Sequence, residues 1–251
     1  MEHLLRATAR AEARHFWFRG FRRFVRPLVE TALAGCSAPA ILDCGCGTGA
    51  NVELLAAYGR TFGFDASETG LRLGRARGRV VRADVAAVPF PGGAFDLVTS
   101  FDVLYSLAPD VEGSAVREMW RVTRPGGHLI VNVAAMNVLR GDHSVLSRER
   151  RRYSRRTLRA LLAGAGFEVR RLTYTNAALF LPLVLARSWQ RLRGLAAEGE
   201  SEREITPPPA PVNAALTAVL AAESWWLRRF DSPFGSSLLC LARKPAGGPA
   251  A

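Results

Sequence analysis

Ala40–Asn51, reading Ala-Ile-Leu-Asp-Cys-Gly-Cys-Gly-Thr-Gly-Ala-Asn, is the stretch that organises the chain. Ala40–Leu42 predicts a buried strand that ends at Asp43, and Val52–Tyr58 a helix stopped by Gly59. Between them Gly45, Gly47 and Gly49 alternate, leaving the backbone bare. Strand, glycine turn and helix together bring main-chain N–H groups and a helix N-terminus against a polar ligand. Gly45, Gly47 and Ala50 satisfy the loose dinucleotide fingerprint, so NAD or FAD is one reading of the turn. Asp43 favours another, because an acid two residues before the first glycine can hold a cationic amine.

Further acids follow at the ends of predicted strands. Arg60–Asp65 is the second strand, and Asp65 lies 22 positions after Asp43, the spacing at which a Rossmann-type fold sets a carboxylate against ribose hydroxyls. A carboxylate suits that task because it accepts two hydrogen bonds from a vicinal diol. Ser67 is the expected N-cap of a helix over Glu68–Arg77. Arg79–Ala83, the third strand, precedes Asp84 and Val85. The run Pro89–Val98 leads into a fourth strand through Phe101, and Asp102-Val-Leu-Tyr-Ser-Leu107 follows it. Val116–Val122 is helical, Arg124-Pro-Gly-Gly127 is a turn, and His128–Val133 is the fifth strand.

On these motifs the chain resembles the class I S-adenosylmethionine-dependent methyltransferases, whose first motif is apolar-Asp-x-Gly-x-Gly-x-Gly. The resemblance is strong over about Pro39–Asn132 and thin after Asn176. It implies an α/β fold: a doubly wound, Rossmann-like sheet of seven strands in the order 3-2-1-4-5-7-6. The sheet is mainly parallel, with Ser236–Arg243 as the antiparallel last strand. It implies S-adenosyl-L-methionine as cofactor, held by Asp43, Cys44, Gly45, Cys46, Gly47 and Gly49, by Asp65 with Ala66, by Asp84 with Val85, and by Phe101. The His15–Arg23 run, H-F-W-F-R-x-x-R-R, resembles the opening of a subgroup linked to glycan, lipid or specialised-metabolite pathways; by that likeness Arg19 or Arg23 pairs with the cofactor carboxylate. Relatives usually carry Glu-His where Tyr105-Ser106 stands here, so a base at that point is not carried over.

The chain divides into an N-terminal helical lid (1–34, two helical pieces joined at His15–Gly20), a cofactor-binding core (35–175), a helical insertion (176–235) that either caps the substrate or completes the core or a dimer interface, a final strand (236–245) and a tail (246–251). Gly141-Asp142-His143 follows the fifth strand, where acceptors sit in open α/β sheets. His143 is the first candidate base, with Asp142 to orient it, then His15 and Tyr105. Arg151 and Arg152, beside Tyr153, either form a solvated face or bind an acceptor anion. Ser154 begins a helix over Arg155–Ala163, and Glu168–Thr175 is the sixth strand. In the insertion Leu185, Trp189, Leu192 and Ala196 share one helical stripe, Glu198–Glu204 is a polar break, and a second helix lies around Asn213–Arg229. Trp189 and Trp226, with Tyr105, are the expected wall of an acceptor pocket.

Composition narrows the partners. The formal charge is +12, carried by arginine apart from Lys244, the only lysine. That balance suits anionic partners, yet arginine is spread over several segments and no Asn/Asp-Pro-Pro-aromatic motif follows strand four, which disfavours nucleic acid. Cys36, Cys44, Cys46 and Cys240 fit neither a disulfide framework nor the usual zinc spacing, so no metal is expected. Met1–Arg26 has no apolar leader core, and Leu172–Ala186 is too short for a span, so a cytoplasmic monomer or homodimer with at most peripheral membrane contact is expected. The expected activity is transfer of the sulfonium methyl to an O, N or C nucleophile of a small apolar or amphiphilic metabolite. The alternatives are a protein that binds S-adenosylmethionine without methyl transfer, as a sensor or cyclising catalyst, and an RNA methyltransferase.

Overall fold

A computed structural model of the chain describes residues 2–74, 76, 78–195 and 205–247. In chain order its elements are α1 (Glu2–Ala11), α2 (Phe16–Ala32), β1 (Ala40–Cys44), α3 (Ala50–Leu55), β2 (Arg60–Asp65), α4 (Glu68–Leu73), β3 (Val80–Arg82) and β4 (Phe95–Phe101). There follow α5 (Pro109–Val122), β5 (Thr123–Ala134), α6 (Asp142–Leu146), α7 (Arg155–Gly164), β6 (Glu168–Thr175), α8 (Phe180–Leu192), α9 (Ala210–Trp226) and β7 (Ser237–Arg243). The sheet order is β3-β2-β1-β4-β5-β7-β6, as expected. All neighbours are parallel except β7, which is antiparallel to β5 and β6. Phe95 pairs with Thr123 and Leu97 with His128, so the predicted Arg124–Gly127 turn survives as a bulge inside β5.

The central strands are apolar on both faces because both faces are covered. Leu42, Val98 and Val131 point into a core that includes Phe64 and Met119 of α5. Their chain neighbours Ile41, Leu97 and Ile130 point the other way, onto Phe24, Leu28 and Val29 of α2. The Lys244 ammonium is buried at the C-terminal end of α5, donating to the carbonyls of Trp120 and Thr123 at 2.7 Å each. It thereby satisfies oxygens that a helix end leaves open.

The break in the N-terminal segment falls at residues 12–14, before the aromatic run and not within it as the sequence suggested. His15 is the reason. Its Nδ1 accepts from the Trp17 N–H at 3.1 Å, an N-cap that makes the aromatic run the first turn of α2. Helix α1 then lies against the glycine turn, with Glu12 accepting from Thr48 Oγ1 at 2.7 Å and Glu2 from Thr69 Oγ1 at 3.1 Å. Helix α9 packs on α2: a Cβ on Gly20 would stand 2.4 Å from Leu220 Cδ1, so glycine is what permits that close crossing. Asn213 ties the two further, accepting from the Phe16 N–H and donating to the Arg14 carbonyl. Helix α8 instead leans on the turn Asn137–Leu139, and Glu223 of α9 accepts from the N–H groups of Ala177 and Ala178 just ahead of it. Ala196, the Glu198–Glu204 break and the chain from residue 248 lie outside the described residues.

Candidate functional site

From β1 the chain builds β2 and β3 on one side, then crosses back to place β4 on the other. The C-terminal ends of β1 and β4 therefore border the reversal of strand order, where open α/β sheets bind their ligands. Each strand near this point ends in an acid: Asp43 in β1, Asp65 in β2, Asp84 after β3 and Asp102 after β4. Neighbouring strands lie about 4.8 Å apart, so the four carboxylates form a row along one edge.

Asp43 is wholly buried, and its Oδ1 accepts from Thr99 Oγ1 at 2.7 Å. Its Oδ2 is buried with no hydrogen-bond partner. Burial pushes this carboxyl up to about 7, against the pull of the Thr99 hydrogen bond. A buried acceptor left without a donor costs about 1–3 kcal/mol, so the geometry is suited to a cationic donor brought by a ligand. The glycine turn beside it closes tightly, with the N–H groups of Gly45 and Cys46 both donating to the Phe64 carbonyl at 2.9 Å. Gly47 has φ +53°, and its N–H donates to Asp65 Oδ2 at 2.8 Å, while Ser67 N–H donates to Oδ1 at 2.8 Å. Each Asp65 oxygen keeps a lone pair for a further donor. Asp84 is exposed, its Oδ1 accepting from the Ala86 N–H, and Val85 beside it is buried. Ala66 and Ser67 border a cavity of about 690 Å³ that reaches Arg6 of α1 and Arg82. Cys44 and Cys46 are buried, and desolvation pushes both thiols well up, so they act as uncharged filler around the turn. Phe101 packs edge to face on Phe21 of α2, and Arg19 stands exposed on the same helix.

Asp102 was passed over in the sequence reading. Its backbone is left-handed, φ +61°, a strained setting for a residue with a Cβ. Asn132 of β5 holds it twice: Asp102 N–H donates to the Asn132 carbonyl, and Asn132 Nδ2 donates to Asp102 Oδ1, both at 2.9 Å. The residue keeps an exposed surface at the end of β4, and the protein packed around it pushes its carboxyl up to about 7 by desolvation. The signal was available. Phe95–Asp102 repeats the pattern of Ala40–Asp43, an apolar strand closed by an acid.

The residues expected on the acceptor side are placed as follows. Arg152 makes a two-pronged pair with Glu149, at 2.7 and 2.8 Å, and donates to the Ala135 carbonyl. Both members of that pair are buried. Arg151 pairs with Glu112 and donates to the Leu107 carbonyl, and the Tyr153 hydroxyl also donates to Glu112. Tyr105 is buried in the core, and its carbonyl accepts from the N–H groups of Arg150 and Arg151. His15 is a helix cap, and burial lowers its pKa. His143 is half-buried in α6, and neighbouring Asp142 is paired with Arg193 of the segment after α8. Trp189 and Trp226 are 65% and 52% exposed.

Residues 42–131, the strands and turns that carry this row of acids, match the methyltransferase domain family. A Mycolicibacterium smegmatis protein named as an S-adenosylmethionine-dependent methyltransferase is 28% identical over 83% of this chain and 79% of its own. Over that stretch the chain is similar to the class I S-adenosylmethionine-dependent methyltransferases. A demethylmenaquinone methyltransferase of Mycolicibacterium gilvum is 37% identical to it over 45% of this chain and 49% of that one, so the match spans about half of that relative. Among solved structures the [4+2]-cyclase SpnF superposes with a TM-score of 0.57, at 23% identity, over 90% of this chain and 81% of that one. That likeness speaks for the fold alone. The cofactor of this methyltransferase family is S-adenosyl-L-methionine, and the donor set fits it: an unpartnered buried carboxylate oxygen for an amine, then carboxylates on the next two strands for hydroxyl and amine donors. Among the described residues no group of histidines, cysteines and acids is arranged to hold a metal.

Proposed function

We propose that the protein transfers a methyl group from S-adenosylmethionine to a small, apolar or amphiphilic acceptor. The observation that carries the reading is the orphaned Oδ2 of Asp43 at the reversal point of the sheet. Asp43 takes the amine of the cofactor, Asp65 its ribose hydroxyls, and Asp84 with Val85 its adenine. The glycine turn from Gly45 to Gly49 lets the backbone approach closely. Bound S-adenosylmethionine supplies an electrophilic methyl, so the protein's task is to hold the acceptor in line with it and to exclude water. Where the acceptor must lose a proton, Asp102 is the group best placed to take it, since it is exposed at the end of β4, the strand next to Asp43, with a carboxyl pushed up to about 7. His143 is the second candidate. Arg151 and Arg152 are committed to the carboxylates of Glu112 and Glu149, so they shape the acceptor side and leave little charge for an acceptor anion.

Calorimetry with S-adenosylhomocysteine tests the reading. Micromolar binding is expected, and because an ammonium beside Asp43 favours its ionised form, binding below about pH 7 releases a proton. Affinity therefore weakens as pH falls below 7, and buffers of different ionisation enthalpy report the released proton. Asp43→Asn removes that release and weakens binding. Tight NADH binding with no response to S-adenosylhomocysteine overturns the assignment.

A further inference from the structure

Helix α8 carries an apolar stripe that no other element among the described residues covers. Leu181, Leu185, Trp189 and Leu192 follow at i, i+4, i+8 and i+11, which places them on one face. They are 71%, 72%, 65% and 83% exposed. Val138, in the turn against which α8 leans, adds to the patch. Soluble monomers rarely leave so many large apolar side chains together on one surface.

Among the described residues the exposed charge beside the stripe is positive. Arg191 and Arg193 stand exposed at the end of α8, and Arg191 is laid against the carbonyls of Val138 and Arg140. Arg140 is itself exposed. The acids closest to these arginines, Asp142 and Glu149, are buried and pair with Arg193 at 3.4 Å and Arg140 at 3.7 Å, whereas the contacts of Arg191 are the two carbonyls and the Ser188 hydroxyl. From Ala177 to Leu195 the chain has three arginines and no acid, and the total of +12 already counts the four glutamates of Glu198–Glu204. Arginines beside an apolar stripe can extend their stems along it and carry their charge to a negative surface.

We propose that α8 lies in the surface of an anionic lipid bilayer. Its leucines and Trp189 enter the boundary between headgroups and acyl chains, while Arg191, whose partners are carbonyls and a hydroxyl, meets the lipid phosphates. At 13 residues α8 is about 20 Å long, too short to cross. The patch adjoins the segment after β5, on the acceptor side of the strand ends, so docking presents that side to the bilayer. The inference stands on the surface alone and does not depend on methyl transfer.

Co-sedimentation with vesicles tests it. Vesicles of equal parts phosphatidylglycerol and phosphatidylcholine are expected to bind the protein at least tenfold more strongly than phosphatidylcholine alone. Raising the salt from about 0.1 to 0.5 M should remove most of that preference. Leu181→Ser/Leu185→Ser/Leu192→Ser should lower binding at least tenfold while S-adenosylhomocysteine binding is kept, which shows that the variant folds. Tryptophan emission should shift to the blue on binding, and Trp189→Phe should remove most of the shift. No binding to either vesicle, or binding that the triple substitution leaves unchanged, overturns the proposal. So does a dimer in light scattering that the same substitution converts to monomer, because the stripe is then covered by a second copy.

Discussion

The acids at the ends of β1 to β4 and the arginines that follow β5 border the same end of the sheet, yet the fold treats them oppositely. Asp43 keeps an unpartnered oxygen in the interior, and Asp65 accepts only main-chain N–H groups that leave it room for more. Arg151 and Arg152 are each matched inside the protein, by Glu112 and Glu149. Desolvation makes the difference instructive. A carboxylate held in the interior without a counter-charge is pushed toward its neutral form, whereas a paired guanidinium and carboxylate screen each other. The first arrangement is costly in the free protein and suits a ligand that brings the missing charge. The second holds the chain in place.

The largest expected effect falls on the carboxylate end. With an acceptor that must lose a proton, Asp102→Asn should lower kcat by about 10²–10⁴-fold. A base works ionised, so the wild-type rate should climb as pH rises through about 7 and level off above it. The variant should lose that rise; an unchanged profile removes Asp102 from the role. On the arginine side, Glu149→Ala strands Arg152 in the interior and should cost about 3–5 kcal/mol of stability in urea unfolding. Replacing both partners, as Glu149→Leu/Arg152→Met, should recover much of that loss, and failure to recover would mean that the pair does more than hold structure. Smallest is Asp65→Ala, which should weaken S-adenosylhomocysteine binding by about 1.5–3 kcal/mol through hydrogen bonds left unmade. A drop in melting temperature should accompany it, because Asp65 also ties Gly47 to Ser67. If Arg151→Ala weakens cofactor binding as much as Asp65→Ala does, the division between the two groups fails.

The same division runs through the two helices between β6 and β7. Periodicity groups Leu185, Trp189 and Leu192 on one face of α8 and Leu216, Leu220 and Leu227 on one face of the α9 segment. The second group meets α2 and the sheet, while the first is left open. A repeat of 3.6 residues states which side chains share a face and carries no record of what stands opposite.

By itself the sequence determined the strand–turn–helix at Asp43, the acids that close the strands and, through resemblance, the order of the sheet. Those features are written in short runs: an apolar strand, an acid, glycines where positive φ is needed. Only the tertiary structure decided which charges stay open. Asp102 owes its left-handed backbone and its partner to Asn132, 30 positions on, and Arg151 owes its neutralisation to Glu112, 39 positions back. His15 is a cap because its Nδ1 meets the N–H of Trp17, and Gly20 is needed because Leu220 crosses there. Partners that far apart in the chain are set by which elements the fold makes adjacent, and even a local pair such as Arg152 with Glu149 is held in the interior by the Ala135 carbonyl after β5 and by Ser144 of α6.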